Sequence, residues 1–233
     1  MNDQQLAKLR ARAEHFLDLF LALREKYALL RPLAFDPALA DRVGRGPQAR
    51  GHTLLKNVLL ESCVQDLVKL TVDAAPRAPN AANIMATLEQ EGVRPTLLEE
   101  YTVVPPPNLD ADAEILAHIV AGDKKRLSDQ FDREWSLLND RWPKLRDREA
   151  LASFKTWRDT RIAHSDLRHD DGTYRLVDLT AEGLQWSDLG DLISELQAVV
   201  DGITILTRSA GFAWGLLDEQ VEEASAAFWQ LVG

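Results

Sequence analysis

Residues 3–30 read DQQLAKLRARAEHFLDLFLALREKYALL, and their pattern indicates the fold class of the chain. Apolar side chains recur every three or four positions without a break, at Leu6, Leu9, Ala13, Phe16, Phe20, Leu23, Tyr27 and Leu30. This spacing lines one side of a long amphipathic helix. Because one such helix does not make a coiled coil, the pattern favours a helix that packs inside a bundle of its own chain.

The rest of the chain continues the helical pattern. Helices are predicted over about 52–72, 81–91, 111–141, 148–164, 187–206 and 218–232. Segments 31–51 and 92–108 are rich in proline or glycine, which is typical of connectors. The only candidate for strand is a short β-hairpin near 173–180. The sequence therefore predicts an all-α, multi-helix bundle that forms a single domain over residues 1–233.

Composition excludes several classes of protein. The chain has 233 residues, of which 45% are hydrophobic and 27% charged, so it can bury a sizeable core. Its single cysteine, Cys63, rules out a disulfide framework and a multi-cysteine zinc site. No apolar run approaches the ~20 residues that span a bilayer, and the N-terminus lacks the pattern of a signal peptide. These features predict a cytoplasmic protein with no membrane partner.

The charge of the chain is unevenly distributed. The net charge is −10, which argues against a general coat for nucleic acid. Residues 141–175 nevertheless hold nine Lys and Arg against six Asp and Glu, whereas residues 176–233 hold one against ten. A local anion-binding site in the basic segment is compatible with this distribution.

The basic segment contains the string FKTWRDTRIAHSD, residues 154–166. Arg158, the polar residue Asp159 directly after it, and His164 at the predicted helix end resemble the motif of the HEPN superfamily. The fuller string from Arg158 to Asp166 is similar to the AbiU-type abortive-infection branch of that superfamily. The long helices on either side also fit, so the resemblance covers most of the chain.

The spacing of the motif alone has little specificity. The motif has four to six residues between the Arg and the His. This spacing also occurs at Arg10 and His15, and at Arg45 and His52. The first pair lies on the amphipathic helix, and the second lies in the Gly/Pro-rich connector. Only the third has the polar residue after the Arg and the position at a helix end, so context selects it.

The resemblance implies a metal-independent endoribonuclease that uses no cofactor. His164 would transfer a proton, because its ordinary pKa lies near neutrality. Arg158 would hold the scissile phosphate of the RNA and offset the charge of the transition state. The products would carry 2′,3′-cyclic phosphate and 5′-hydroxyl ends. Lys155, Asp159 and Arg161 are the candidate supporting or RNA-binding residues.

Helix geometry indicates that the proposed active site needs a second copy of the chain. Six residues of a regular helix turn through about 600°, which leaves Arg158 and His164 about 120° apart. Two copies across a two-fold axis can aim both groups at one phosphate, and the family's active sites form at a dimer interface. We therefore expect a homodimer. An always-active ribonuclease would harm its host, so an antitoxin or another regulatory protein is also expected.

Three alternatives remain open at this stage. In the first, the chain is a catalytically inactive HEPN-fold module that binds nucleotide, RNA or a protein. In the second, it is a structural dimerisation protein in which Arg158 and His164 serve the interface. A metal site is the third alternative, at His164, Asp166, His169, Asp170 and Asp171. Because these five residues also fit a solvated turn and no second ligand cluster accompanies them, no metal is predicted.

Overall fold

The computed structural model describes residues 1–105, 112–163, 167–170, 173–176 and 183–230, with the backbone alone for 161–163 and for both stretches between 167 and 176. These residues form nine α-helices, one π-helical turn and two short strands. The helices are α1 (Asp3–Phe35), α2 (Pro37–Val43), α3 (Pro47–Thr71), α4 (Ala81–Leu88), α5 (Val93–Tyr101), α6 (Ala113–Arg146), α7 (Glu149–Trp157), α8 (Trp186–Arg208) and α9 (Trp214–Gln230). The π-helical turn is Arg158–Ala163, and the strands are β1 (Leu167–Asp170) and β2 (Thr173–Leu176).

Helix α1 lies at the centre of the bundle. It packs most extensively against α3 and α8, while α6 packs on the other side of α8. Seven of the eight apolar residues that predicted α1 are buried, and Phe16, Phe20 and Leu23 have no exposed surface. The buried side chains of α1, α3, α6 and α8 join one continuous core. The all-α bundle predicted from the sequence is confirmed, and no described helix is long and apolar enough to cross a membrane.

Two segments that the sequence analysis predicts to be connectors contain helices, and prolines lie within these helices. The segment 31–51 contains α2 and the last turn of α1, and the segment 92–108 contains α5. Pro37 and Pro47 are the first residues of α2 and α3, and Pro95 is the third residue of α5. The first turn of a helix has no internal partner for its N–H groups, so proline is tolerated there.

The predicted hairpin is present but begins earlier along the chain. Strand β1 pairs antiparallel with β2, with Leu167 opposite Leu176 and Asp170 opposite Thr173. The pairing therefore occupies 167–176 where the sequence indicated 173–180. The stretch 177–180 lies outside the described residues.

A proline inside α1 explains how the C-terminal helix docks. Pro32 lacks an N–H, so the carbonyl of Ala28, four residues earlier, loses its helical partner. The Ser225 hydroxyl of α9 donates a hydrogen bond to this carbonyl at 2.8 Å. The indole Nε1 of Trp229 donates to the next carbonyl, that of Leu29, at 3.2 Å. Helix α9 thus satisfies the backbone carbonyl that the proline leaves free, and it adds a second hydrogen bond at the next one.

Replacing Ser225 by alanine is expected to lower the free energy of unfolding by about 1–3 kcal/mol, the cost of leaving a buried acceptor without a donor. Ser225 is only 4% exposed, so water does not readily take its place. The measurement is urea denaturation followed by circular dichroism. Ser194→Ala is the matched control, because the Ser194 hydroxyl also bonds a backbone carbonyl, at 3.0 Å, but is exposed. Equal effects of the two changes would contradict the role given to Ser225.

Candidate active site

Helix α7 fixes the position of the basic segment. Leu151, Phe154 and Trp157 recur every three residues and are at most 4% exposed, so they anchor one face of α7 in the core. The helix and the turn after it pack against α3. From Arg158 to Ala163 the chain adopts a π-helical turn in place of the regular helix predicted from the sequence. Single π-helical turns are uncommon and occur frequently at functional sites.

Arg158 is the first residue of this turn, and carboxylates surround its guanidinium. Only 17% of its side chain is exposed. Its Nε donates to Oδ1 of Asp159 at 2.8 Å, and its Nη2 lies 2.6 Å from the same oxygen. Its Nη1 lies 3.8 Å from Oδ2 of Asp73, which is within ion-pair range but too far for a hydrogen bond. Among the described residues, Nη1 is therefore the end of the guanidinium without a hydrogen bond.

Asp159 connects Arg158 to Lys155. The Lys155 ammonium, one helical turn earlier, lies 3.1 Å from Oδ2 of Asp159. Partial burial acts to raise the pKa of Asp159, but the hydrogen bonds from Arg158 and Lys155 outweigh it and hold the pKa below its ordinary value of 3.8. The carboxylate is therefore ionised at neutral pH. Its pairing stabilises the fold above the ordinary pKa, and this contribution is lost as the pH falls through the lowered pKa.

Asp73 is a site residue that the sequence analysis does not identify. It follows the C-terminal end of α3, and the fold brings it to Arg158 from a distant part of the chain. Its Oδ1 accepts from the Ala75 N–H at 3.3 Å, and its carbonyl accepts from Nδ2 of the buried Asn80 at 2.9 Å. These bonds hold the carboxylate in place. No local sequence pattern signals this role, because it depends on tertiary packing.

The other predicted site residues divide into two groups. Lys155, Arg158 and Asp159 lie together, as described above. The backbone of Arg161 lies in the π-helical turn, and its side chain lies outside the description. His164 lies outside the described residues, as do Asp166 and Asp171 of the alternative metal set, while His169 and Asp170 are described as backbone only. Within the residues whose side chains are described, no group of three His, Cys, Asp or Glu is placed to hold a metal ion.

The two other Arg/His pairs of similar spacing are used differently. Arg10 binds the Glu100 carboxylate and the carbonyl of Thr207, so it ties α1 to other helices. The His15 side chain is 71% exposed. His52 lies against Trp229, with ring centroids 5.6 Å apart.

Comparison with known proteins identifies the family of the chain. A family model described as AbiU2 (HEPN_AbiU2) matches residues 6–228, which include the string from Arg158 to His164. No curated protein matches the chain, and no solved structure matches it either. The family match spans nearly the whole sequence and confirms the resemblance seen in residues 154–166. The chain therefore belongs to the AbiU2 family of HEPN-type abortive-infection proteins.

Proposed function

We propose that the protein is a metal-independent endoribonuclease of a phage-defence or toxin–antitoxin type. One observation carries the proposal: Arg158 is the largely buried first residue of a π-helical turn, and its Nη1 has only a 3.8 Å ion pair with Asp73 among the residues that the structure describes. This turn leads towards His164 within the motif of the family. The arrangement supplies an oriented cation, and the family motif supplies a residue suited to proton transfer six positions later in the sequence.

The proposed reaction is an attack of the ribose 2′-oxygen on the adjacent phosphorus. A histidine acting as base takes the proton of the 2′-hydroxyl, the bond from phosphorus to the 5′-oxygen breaks, and that oxygen receives a proton from an acid. The products are a 2′,3′-cyclic phosphate and a 5′-hydroxyl. His164 supplies one of these proton transfers, and Arg158 stabilises the negative charge on the phosphate oxygens.

The geometry of Arg158 indicates which atoms would contact the phosphate. Asp159 contacts Nε and Nη2 of Arg158, and these two contacts hold the Arg158 side chain in one orientation. Nη1 faces Asp73 at 3.8 Å, and a phosphate oxygen that approaches it would form a shorter, charge-assisted bond. In this proposal Asp159 and Asp73 are positioning residues for Arg158. Lys155 and Arg161 add positive charge for the flanking phosphates.

The functional unit that we propose is a cytoplasmic homodimer with the π-helical turn near its axis. Two copies of the turn bring Arg158 of one protomer and His164 of the other to one phosphate. Regulation by an antitoxin or another protein partner belongs to the same proposal. The catalytically inactive HEPN module is the alternative, and the pairing of Arg158 with two carboxylates is the observation that favours it.

Arg158→Ala is expected to lower the rate of RNA cleavage by about 10²–10³-fold, the usual effect of removing one group that stabilises charge in a transition state. The assay uses a mixed RNA substrate in EDTA, with analysis of the product ends for cyclic phosphate. Arg146→Ala is the matched control, because Arg146 also binds the next residue, Asp147, through Nε at 2.8 Å and Nη2 at 2.9 Å, but is exposed.

The outcomes separate the two candidate functions. Cleavage in EDTA by wild type and Arg146→Ala, with loss in Arg158→Ala, supports the ribonuclease. No cleavage by wild type, together with RNA binding that Arg158→Ala weakens, favours the inactive module. Equal cleavage by wild type and Arg158→Ala would contradict the role proposed for Arg158.

A further inference from the structure

A cavity lies beside Asp73, the residue that forms an ion pair with Arg158. It has a volume of about 240 Å³ and is formed by α1, the C-terminal half of α3 and the loop before α4. Leu19, Ala22 and Leu70 provide an apolar wall, and Lys69 and Asp73 provide polar groups. Because Asp73 forms an ion pair with Arg158 and also lines the cavity, the cavity adjoins the proposed phosphate site.

The polar groups of the cavity are not equivalent. The Lys26 ammonium lies 2.5 Å from the Asp66 carboxylate, so this pair neutralises itself. Lys69 is exposed and has no salt-bridge partner among the described residues. Lys69 and Asp73 lie four residues apart at the end of α3, where they present one donor and one acceptor group. The cavity thus combines an apolar wall with a donor, the Lys69 ammonium, and an acceptor, the Asp73 carboxylate, whose oxygens can each accept more than one hydrogen bond.

These properties match one class of ligand. A nucleobase is apolar on its faces and carries hydrogen-bond donors and acceptors along its edge. Pockets for drug-sized molecules measure about 300–1,000 Å³, so a cavity of this size suits a single base and not a whole nucleotide. Lysine recognises ring and carbonyl acceptors of bases, and aspartate accepts from their amino groups.

We propose that this cavity binds one base of the RNA strand whose phosphate contacts Arg158. This inference rests on the proposed function and adds a determinant of substrate preference to it. The base and the phosphate would both lie next to Asp73. The base edge would hydrogen-bond to Lys69 and Asp73, and one base face would pack on Leu19, Ala22 and Leu70.

The experiment maps the base on each side of every cut in a random-sequence RNA pool. Wild type is expected to prefer one base at a fixed position next to the cut by about fivefold or more, the discrimination that one good paired contact to a base gives. Ala22→Met, which fills the cavity with a residue that helices tolerate, and Lys69→Met are expected to abolish this preference. Ala11→Met, at an exposed position of α1, is the matched control and should retain it.

The possible results distinguish the proposed base site from the proposed ribonuclease activity. Cleavage with no base preference in wild type, or a preference that both variants retain, would overturn the base site and leave the ribonuclease intact. Wild type that neither cuts nor binds RNA would overturn both proposals. If wild type binds RNA without cutting, its affinities for the four homo-oligonucleotides decide: a difference of about fivefold or more that Ala22→Met removes supports the base site, and equal affinities overturn it.

Discussion

Replacing His164 by alanine is expected to lower the rate of RNA cleavage by about 10²–10⁴-fold, the contribution that a positioned acid or base makes to catalysis. The reason is chemical: histidine is the side chain whose ordinary pKa, about 6.5, lets it both accept and donate a proton near neutral pH. The measurement is the single-turnover rate on a defined RNA in EDTA. The wild-type rate should also depend on pH around neutrality, and the residual rate of the variant should lose that dependence.

The control for this prediction comes from the same chain. His15 follows Arg10 at a spacing within the range of the motif, but it is exposed and lies 3.9 Å from Asp18. His15→Ala should leave the rate of cleavage unchanged. A large loss of activity in His15→Ala, or full activity in His164→Ala, would remove His164 from the mechanism. Circular dichroism of both variants checks that a lost rate does not reflect a lost fold.

Phe154→Ala is expected to lower the free energy of unfolding by about 3–5 kcal/mol, the cost of deleting a fully buried aromatic side chain and leaving a cavity. Phe154 is 1% exposed and lies between Leu151 and Trp157 on the buried face of α7. The measurement is urea denaturation, in which the midpoint should fall while the slope of the free energy with urea stays constant. Because α7 leads directly into Arg158, RNA cleavage should weaken as well.

A neighbouring position provides the control for Phe154. Thr156 lies on the same helix and is exposed, and its hydroxyl donates a hydrogen bond to the carbonyl of Ala152 at 3.1 Å. Thr156→Ala should change the free energy of unfolding by less than about 0.5 kcal/mol. A small effect of Phe154→Ala would mean that α7 is not anchored in the core by this face.

Much of the fold is predictable because the apolar periodicity of the long helices is strong. The pattern of α1 places Phe16, Phe20 and Leu23 in the core, and the structure buries all three completely. The pattern of α3 is less informative. Leu55 is an apolar residue of this helix but is 37% exposed, because the core covers only the C-terminal half of α3. Periodicity identifies the face of a helix, but it does not show how far along the helix its neighbours extend.

Proline explains the helices that the sequence analysis missed. Proline is unfavourable inside a helix because it removes an N–H and its ring clashes with the preceding turn. In α5, Pro95 lies in the first turn, where the lost N–H has no internal partner to lose. Pro143 lies within α6, which nevertheless continues to Arg146. At Pro32 the partner that replaces the lost hydrogen bond comes from α9, which no local pattern reveals.

The candidate site shows the same division between local and tertiary information. Arg158 and Asp159 are neighbours in sequence, and Lys155 lies one turn earlier, so their association follows from helical spacing. Asp73 reaches Arg158 only because α7 packs on α3. The cavity beside it also requires α1 and α3 to lie together. A motif search finds Arg158 and its sequence neighbours, but it does not detect Asp73 or the cavity.

The docking of α9 on α1 has a consequence for protein synthesis. Helix α1 leaves the ribosome well before two of its partners, α8 and α9. At about 5–20 residues per second, roughly 10–40 s separate α1 from α9 during translation. Arg24 of α1 binds Asp218 of α9, and Ser225 supplies the hydrogen bond lost at Pro32, so the bundle is complete only after α9 has emerged. A nascent chain without α9 is therefore an unfinished bundle, and any activity that needs the complete bundle begins only after α9 is made.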